Sequence, residues 1–370
     1  MNNILKYFLI AFLAVFLAVF FIYAFWQEDT ITDRNPIKPE PRQELVSGVI
    51  KQSGETGELR IERIFYMSRA NEKEGMASLE RNADKIDILA PQFYEVSSKL
   101  QLAGEVGYQA EKIIAEQKIK VMPLVSNAGF KQDIMHNLLI SEKGQDAIIK
   151  ELVYLAKKNK YIGWQFDFEN ISYKDKDLYS AFIEKTAKSM HENGLILSVA
   201  AVSRSVDYED TNNFRNWSGV FDYARIAKAV DFISLMTYDD PKSIGPVASL
   251  PFINKVLSYV KGKIPPEKLS LGIPLYYWGW SIASMQKITT SGTYNGLLSI
   301  IDNFQYNLGF DNALGASWLT YFWQNQQYKI WYQDKLGFEN KLDVIRQNNL
   351  RGFSAWVLGV EDPKIWTVLD

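Results

Sequence analysis

Gln165, Asp167 and Glu169 occupy every second position in the stretch Tyr161 to Ile171, YIGWQFDFENI. In a β-strand this alternation puts the three side chains on one face, roughly 6 to 7 Å from one to the next. Trp164, Phe166 and Phe168 then occupy the other face. Two carboxyl groups on one face suit acid–base chemistry. Left unpaired and desolvated, such groups cost on the order of several kcal/mol, so the fold must give them partners or a use.

Other chemistries are poorly supplied. With no cysteine, the chain has no disulfides, no thiolate metal sites and no cysteine nucleophile. The 2 histidines, His136 and His191, lie in polar, helix-like surroundings. A Ser-His-Asp triad or a multi-histidine zinc site is therefore not expected, and neither a metal nor a cofactor is predicted. The net charge is -2, and no basic cluster interleaves with aromatic residues, which excludes the electrostatic footprint of a nucleic-acid binder. Aromatic residues make up 14% of the chain, a content that suits both a large core and a groove on which sugar rings stack.

Eight apolar runs can position these groups: RIFYM near 63, IDILAPQF near 87, IKVMPLV near 119, YIGWQFDF near 161, LILSVAAV near 195, DFISLMTY near 231, LSLGIPLY near 269 and RGFSAWV near 351. Amphipathic segments alternate with them. One is AIIKELVYLAKKNK, whose Ile148, Leu152 and Leu155 share a helical face. Eight strands alternating with helices predict an α/β fold of the (β/α)8 TIM-barrel type. An open doubly wound sheet fits less well, because no Gly-rich phosphate turn follows the first strand. The gap at about 278–345 is too long for one helix and predicts a small α+β insertion between strands 7 and 8. Active sites of this fold lie at the C-terminal rim of the strands, and Glu169 is the member of its row nearest that rim.

The first residues predict a location. Residues 7–26, YFLIAFLAVFLAVFFIYAFW, carry no charge and are long enough as a helix to span a bilayer. The run ends in Phe25 and Trp26 rather than in small residues, so it reads as an uncleaved signal-anchor. Lys6 precedes it, and Glu28 and Asp29 follow, placing residues 1–6 in the cytoplasm. Residues 27–58, with Pro36, Pro39 and Pro41, read as an extended linker. The expected barrel, 59–370, then stands on the periplasmic or extracellular side of the cell membrane.

Taken in order, the strand ends resemble those of glycoside hydrolase family 18, the chitinase-like hydrolases of N-acetylglucosamine polymers. The fourth-strand signature of that family is Asp-Gly-x-Asp-x-Asp-x-Glu. Here Ile162, Gly163, Trp164, Gln165, Phe166, Asp167, Phe168 and Glu169 stand in its place, with two of the aspartates replaced. MTYD at Met236 to Asp239, GIPLYYW at Gly272 to Trp278 and GFSAWVLGVED at Gly352 to Asp362 supply further matches. The wording is most similar to the bacterial branch of spore and cell-wall N-acetylglucosaminidases, although no LysM repeat of the kind those relatives often carry is visible.

The resemblance implies a retaining, substrate-assisted mechanism in which the sugar's own acetamido oxygen is the nucleophile. By motif position Glu169 would be the acid/base, Asp167 the residue orienting the acetamido N–H, and Tyr238 the donor to its carbonyl. Asp239 would bind a sugar hydroxyl and Trp356 would floor the site, with Tyr276 and Trp278 lining the groove. Gln165 is expected beside the substrate, donating to Asp167. The implied partner is an N-acetylglucosamine-containing glycan, of peptidoglycan or chitin type. A non-hydrolytic, lectin-like glycan binder on the same fold is the alternative. Such relatives usually replace the acid, whereas Glu169 and Asp167 both persist here.

Overall fold

Runs such as RIFYM and LSLGIP are apolar on both faces, and in the structure both faces are covered. The computed structural model describes residues 60–369 except 241–243 and 285–289. The first, fourth and fifth strands are Glu62–Ser68, Gly163–Asp167 and Ile196–Val202. The sixth, seventh and eighth are Phe232–Met236, Leu269–Pro274 and Gly352–Trp356. The second and third are each in two pieces, Ile88–Gln92 with Tyr94–Val96, and Lys120–Val121 with Leu124–Asn127. Pro123 sits at the break in the third strand, where a residue without an N–H cannot sustain the ladder.

Each strand pairs in parallel with the next, and the eighth pairs with the first. The second and third meet twice, Ile88 opposite Lys120 and Tyr94 opposite Val125. The sheet therefore curls back on itself in a TIM-barrel-like α/β fold, and all eight expected strands are present.

The outward residues of the fourth strand anchor it to the surrounding helices. Ser141 caps the helix Glu142–Asn159, and Lys160, at φ 58°, ends it. Trp164 Nε1 donates to the Leu152 carbonyl of that helix at 2.9 Å. Phe166 stacks on Phe182 of the helix Lys176–Glu192, with ring centroids 5.6 Å apart. Pairs of this kind add roughly 0.5–1.5 kcal/mol beyond burial and hold the opposite face of the strand toward the interior.

The insertion is an antiparallel sheet in the order Thr290–Gly292, Tyr277–Ser281, Gln326–Tyr332, Ala316–Trp323, Tyr306–Asp311. Residues of the helix Tyr294–Asn303 pack over Tyr277, Leu319, Tyr321 and Ile330 on one face. The boundary expected at 345 lies too late. Asp334 caps a new helix, Lys335–Gln347, whose Phe338 meets Phe353 of the eighth strand edge-on at 5.3 Å. That helix belongs to the barrel.

Among the described residues no helix is long and apolar enough to cross a membrane. The segments read as cytoplasmic N-terminus, anchor and linker, 1–58, lie outside the described residues.

Candidate active site

Gln165 is 0% exposed and fully engaged. Its Oε1 accepts from the Tyr66 hydroxyl at 2.8 Å, and its Nε2 donates to Ser198 and Ser234 at 2.9 Å each. Ser354 hydrogen-bonds both Ser234 and Ser270 at 2.7 Å, so with Tyr66 five strands contribute a hydroxyl to one buried layer. Serines are small enough to leave room for the amide they bind. This corrects the expectation for Gln165. It neither reaches substrate nor donates to Asp167, because both its N–H groups are spent on serines.

Asp167, in the next inward position, takes its hydrogen bond from Gln92 Nε2 at the end of the first piece of the second strand, at 3.1 Å. Burial pushes its carboxyl up to about 6, with the Gln92 hydrogen bond opposing the shift. Glu169 follows the strand and is only partly covered. Burial, then the charges of Asp167 and Asp239, raise its carboxyl well above the usual glutamate range. Among the described residues nothing hydrogen-bonds that carboxyl, which leaves it available to a ligand. Its backbone is fixed instead. Glu169 N–H donates to Asn127 Oδ1 at 3.1 Å, and Asn127 Nδ2 donates to the Glu169 carbonyl at 3.0 Å. Asn170, at φ 52°, donates to the Phe130 carbonyl at 2.9 Å and holds the turn that follows.

At the sixth strand's end, Asp239 adopts a left-handed backbone, φ 56°, and accepts a hydrogen bond from the Tyr276 hydroxyl. Burial pushes Asp239 up to about 6, and that hydrogen bond opposes it. Tyr238 shares this region, its hydroxyl raised by burial and by the charges of nearby groups, among them Asp239, Asp167 and Glu169. Its seat depends on Gly272, where a Cβ would lie 2.8 Å from Tyr238 Cε1 and 2.6 Å from the Leu235 carbonyl. Trp356 is half-buried at the end of the eighth strand, its ring 5.5 Å from that of Tyr66.

Asp167, Tyr238, Asp239 and Tyr276 thus all fall within electrostatic reach of Glu169, and Trp356 joins them through Tyr66. Trp278 does not line the groove as expected. It is 4% exposed, packed with Trp280, Trp331 and Ala316 of the insertion and with Val247 from outside it. Sequence reasoning missed Gln92, Asn127 and Tyr66. Their only signal is a polar group near the C-terminal end of an otherwise apolar run. His136 and His191, on outer helices, pair with Asp175 and Asp231, at 3.1 and 3.0 Å. Among the described residues no group of three or more His, Asp or Glu is arranged to hold a metal ion.

This constellation offers a carboxyl whose proton affinity burial and two neighbouring charges raise, an adjacent acid able to carry negative charge, phenolic donors and an indole face. Residues 62–361 match the model of glycosyl hydrolases family 18. The chain belongs to that family and is a glycoside hydrolase. Over 301 residues it is 26% identical to the uncharacterized glycosylase YvbX of Bacillus subtilis, covering 79% of this chain and 86% of that protein. It is 25% identical over 303 residues to the cortical fragment-lytic enzyme of the same organism, covering 75% of this chain and 68% of that one. Its fold matches the spore cortex-lytic enzyme SleL of Bacillus megaterium with a TM-score of 0.75 at 23% identity, over 85% of this chain and 74% of that one.

Proposed function

We propose that this hydrolase cleaves β-1,4 bonds of an N-acetylglucosamine-containing glycan of peptidoglycan type by a retaining, substrate-assisted route. The observation that carries the reading is the pairing of Glu169, its proton affinity raised, with a buried Asp167 held by a separate donor. The relatedness to a cortical fragment-lytic enzyme supports peptidoglycan over chitin.

In the first half-reaction the acetamido carbonyl oxygen attacks the anomeric carbon while the glycosidic C–O bond breaks, and the Glu169 proton passes to the leaving oxygen. Asp167 accepts the acetamido N–H and stabilises the positive cyclic intermediate. Tyr238 steadies the attacking oxygen by donating to it, Asp239 accepts from a sugar hydroxyl, and Trp356 supplies an apolar floor. Tyr276 acts through Asp239. In the second half Glu169, now a carboxylate, takes a proton from the water that opens the intermediate. A lectin-like reading lacks a comparable observation, since the acid is retained with its carboxyl unengaged.

Because the nucleophile belongs to the substrate, removing the acetyl group at the cleaved sugar is expected to abolish turnover while binding persists. Mass analysis of products from acetylated and de-N-acetylated strands checks this, and equal rates on both would falsify substrate assistance. A thiazoline mimic of the intermediate is expected to inhibit.

The uncharged segment 7–26 supports a membrane-anchored enzyme with its catalytic portion outside the cytoplasm. Full-length protein is expected to stay with membranes through alkaline carbonate. Protease added from outside, with any outer envelope opened, is expected to release a fragment of nearly barrel size. A catalytic portion shielded from that protease would reverse the orientation.

A further inference from the structure

On one face of the insertion sheet aromatic residues align in ranks. Trp278, Trp331 and Trp318 oppose one another across three adjacent strands, and Trp280, Lys329 and Thr320 form the next rank out. The first rank is continuous with the active site. Trp278 and Trp331 belong to one packed cluster against which Tyr238 and Tyr276 lie, and Trp331 and Tyr276 line the same small cavity.

Lys329 precedes Trp331 by two residues on the same face, about 6 to 7 Å along the strand. Its Nζ leans back to 4.1 Å from the Trp331 ring centroid and 5.1 Å from that of Trp318. Two indole faces fix this ammonium without consuming its hydrogen-bond donors on oxygen acceptors. Among the described residues Lys329 makes no ion pair. Asp311, the acid that acts on it electrostatically, is engaged by the backbone N–H groups of Ala313 and Leu314 at 3.0 Å each. Phe322, one rank further out on the same face, is 60% exposed and offers an apolar surface for a sugar ring. A half-buried, oriented cation that makes no ion pair among the described residues therefore stands between Tyr238 and Tyr276 on one side and an open aromatic platform on the other.

We propose that Lys329 is a specificity residue, binding the carboxylate of an acidic N-acetylated sugar that lies along the insertion sheet beyond the sugar held at Tyr238. The hydrolase would then favour carboxylate-bearing strands, such as those with lactyl ether groups, over neutral N-acetylglucosamine polymers. This rests on the glycan reading above and sharpens it.

The test uses one backbone in two charge states: peptide-free peptidoglycan strands with their lactyl carboxylates intact, and the same strands after carbodiimide activation and borohydride reduction to neutral alcohols. Parent enzyme is expected to show a lower KM on the charged strands, a preference that fades with added salt. Lys329→Met is expected to raise KM for charged strands about tenfold more than for reduced ones, with kcat changed little on either. Lys329→Arg, which keeps the charge and the stacking, is expected to retain the preference, separating recognition from a packing defect. A parent without charge preference, or a Lys329→Met variant that loses both substrates equally, overturns the proposal. Tryptophan fluorescence titration of Glu169→Gln with the same two strands decides the question independently of turnover. If the parent cleaves neither strand the hydrolytic reading of these glycans fails, while a charge preference in binding still upholds Lys329.

Discussion

Glu169→Gln is expected to lower kcat by about 10²- to 10⁴-fold, the usual worth of a positioned general acid–base group, while the protein folds and binds glycan much as the parent does. The amide keeps the volume of the carboxyl but cannot cycle a proton. The pH profile carries a second signature. On the proposed mechanism turnover needs Glu169 protonated and Asp167 ionised, so parent activity should fall as pH drops through about 6, where Asp167 takes up a proton. It should fall again at higher pH as Glu169 loses its own proton, whose pKa burial and two neighbouring charges have raised. In Glu169→Gln the alkaline limb is expected to disappear from the residual rate. Initial-rate kinetics across pH check both parts, and activity within tenfold of the parent would remove Glu169 from its role.

The second large effect is on stability. Gln165→Leu would take from the Tyr66 hydroxyl the amide oxygen it donates to, leaving it only Ser234 and Ser354, and would take the shared amide donor from Ser198 and Ser234, all inside a layer closed to water. Each stranded buried group costs about 1–3 kcal/mol, and the serines can fall back in part on one another, so a net loss of roughly 2–4 kcal/mol is expected. Denaturant melts of the catalytic portion read this directly. An unchanged midpoint would mean that the polar layer adds nothing to the barrel.

The eight strands and the inward register of the fourth were legible because they rest on local patterns: apolar runs of strand length, and an alternation that sends Gln165 and Asp167 inward and Trp164 and Phe166 outward. What Gln165 and Asp167 touch was not legible, since it depends on side chains from other strands. Gln92 lies 75 residues from Asp167, and Ser234 lies 69 from Gln165. The nearest candidate in sequence, a hydrogen bond between Gln165 and Asp167, gave way to these distant partners. Trp278 misled for a related reason. It closes the GIPLYYW motif, but the chain has already entered the insertion at Tyr277, where cross-strand pairing sets its surroundings. The insertion's end was misplaced because an Asp-capped helix starting at Lys335 looks, by composition, like more of the same polar stretch.

The clamp that Asn127 places on the Glu169 peptide has a consequence for assembly. Asn127 ends the third strand, and Glu169 follows the fourth, 42 residues later. The amide meets that peptide only when the two strands pair in the register that sets Ser126 opposite Asp167. A slip of one residue would turn Asn127 to the other face of the sheet and free the acid's backbone on both sides. The polypeptide thus carries a checkpoint in its own wiring. With Glu169 as the proposed acid, a chain whose third and fourth strands have joined out of step, or not yet joined, leaves that residue's backbone unclamped, so the power to cut glycan would arrive together with the correct joining of these strands.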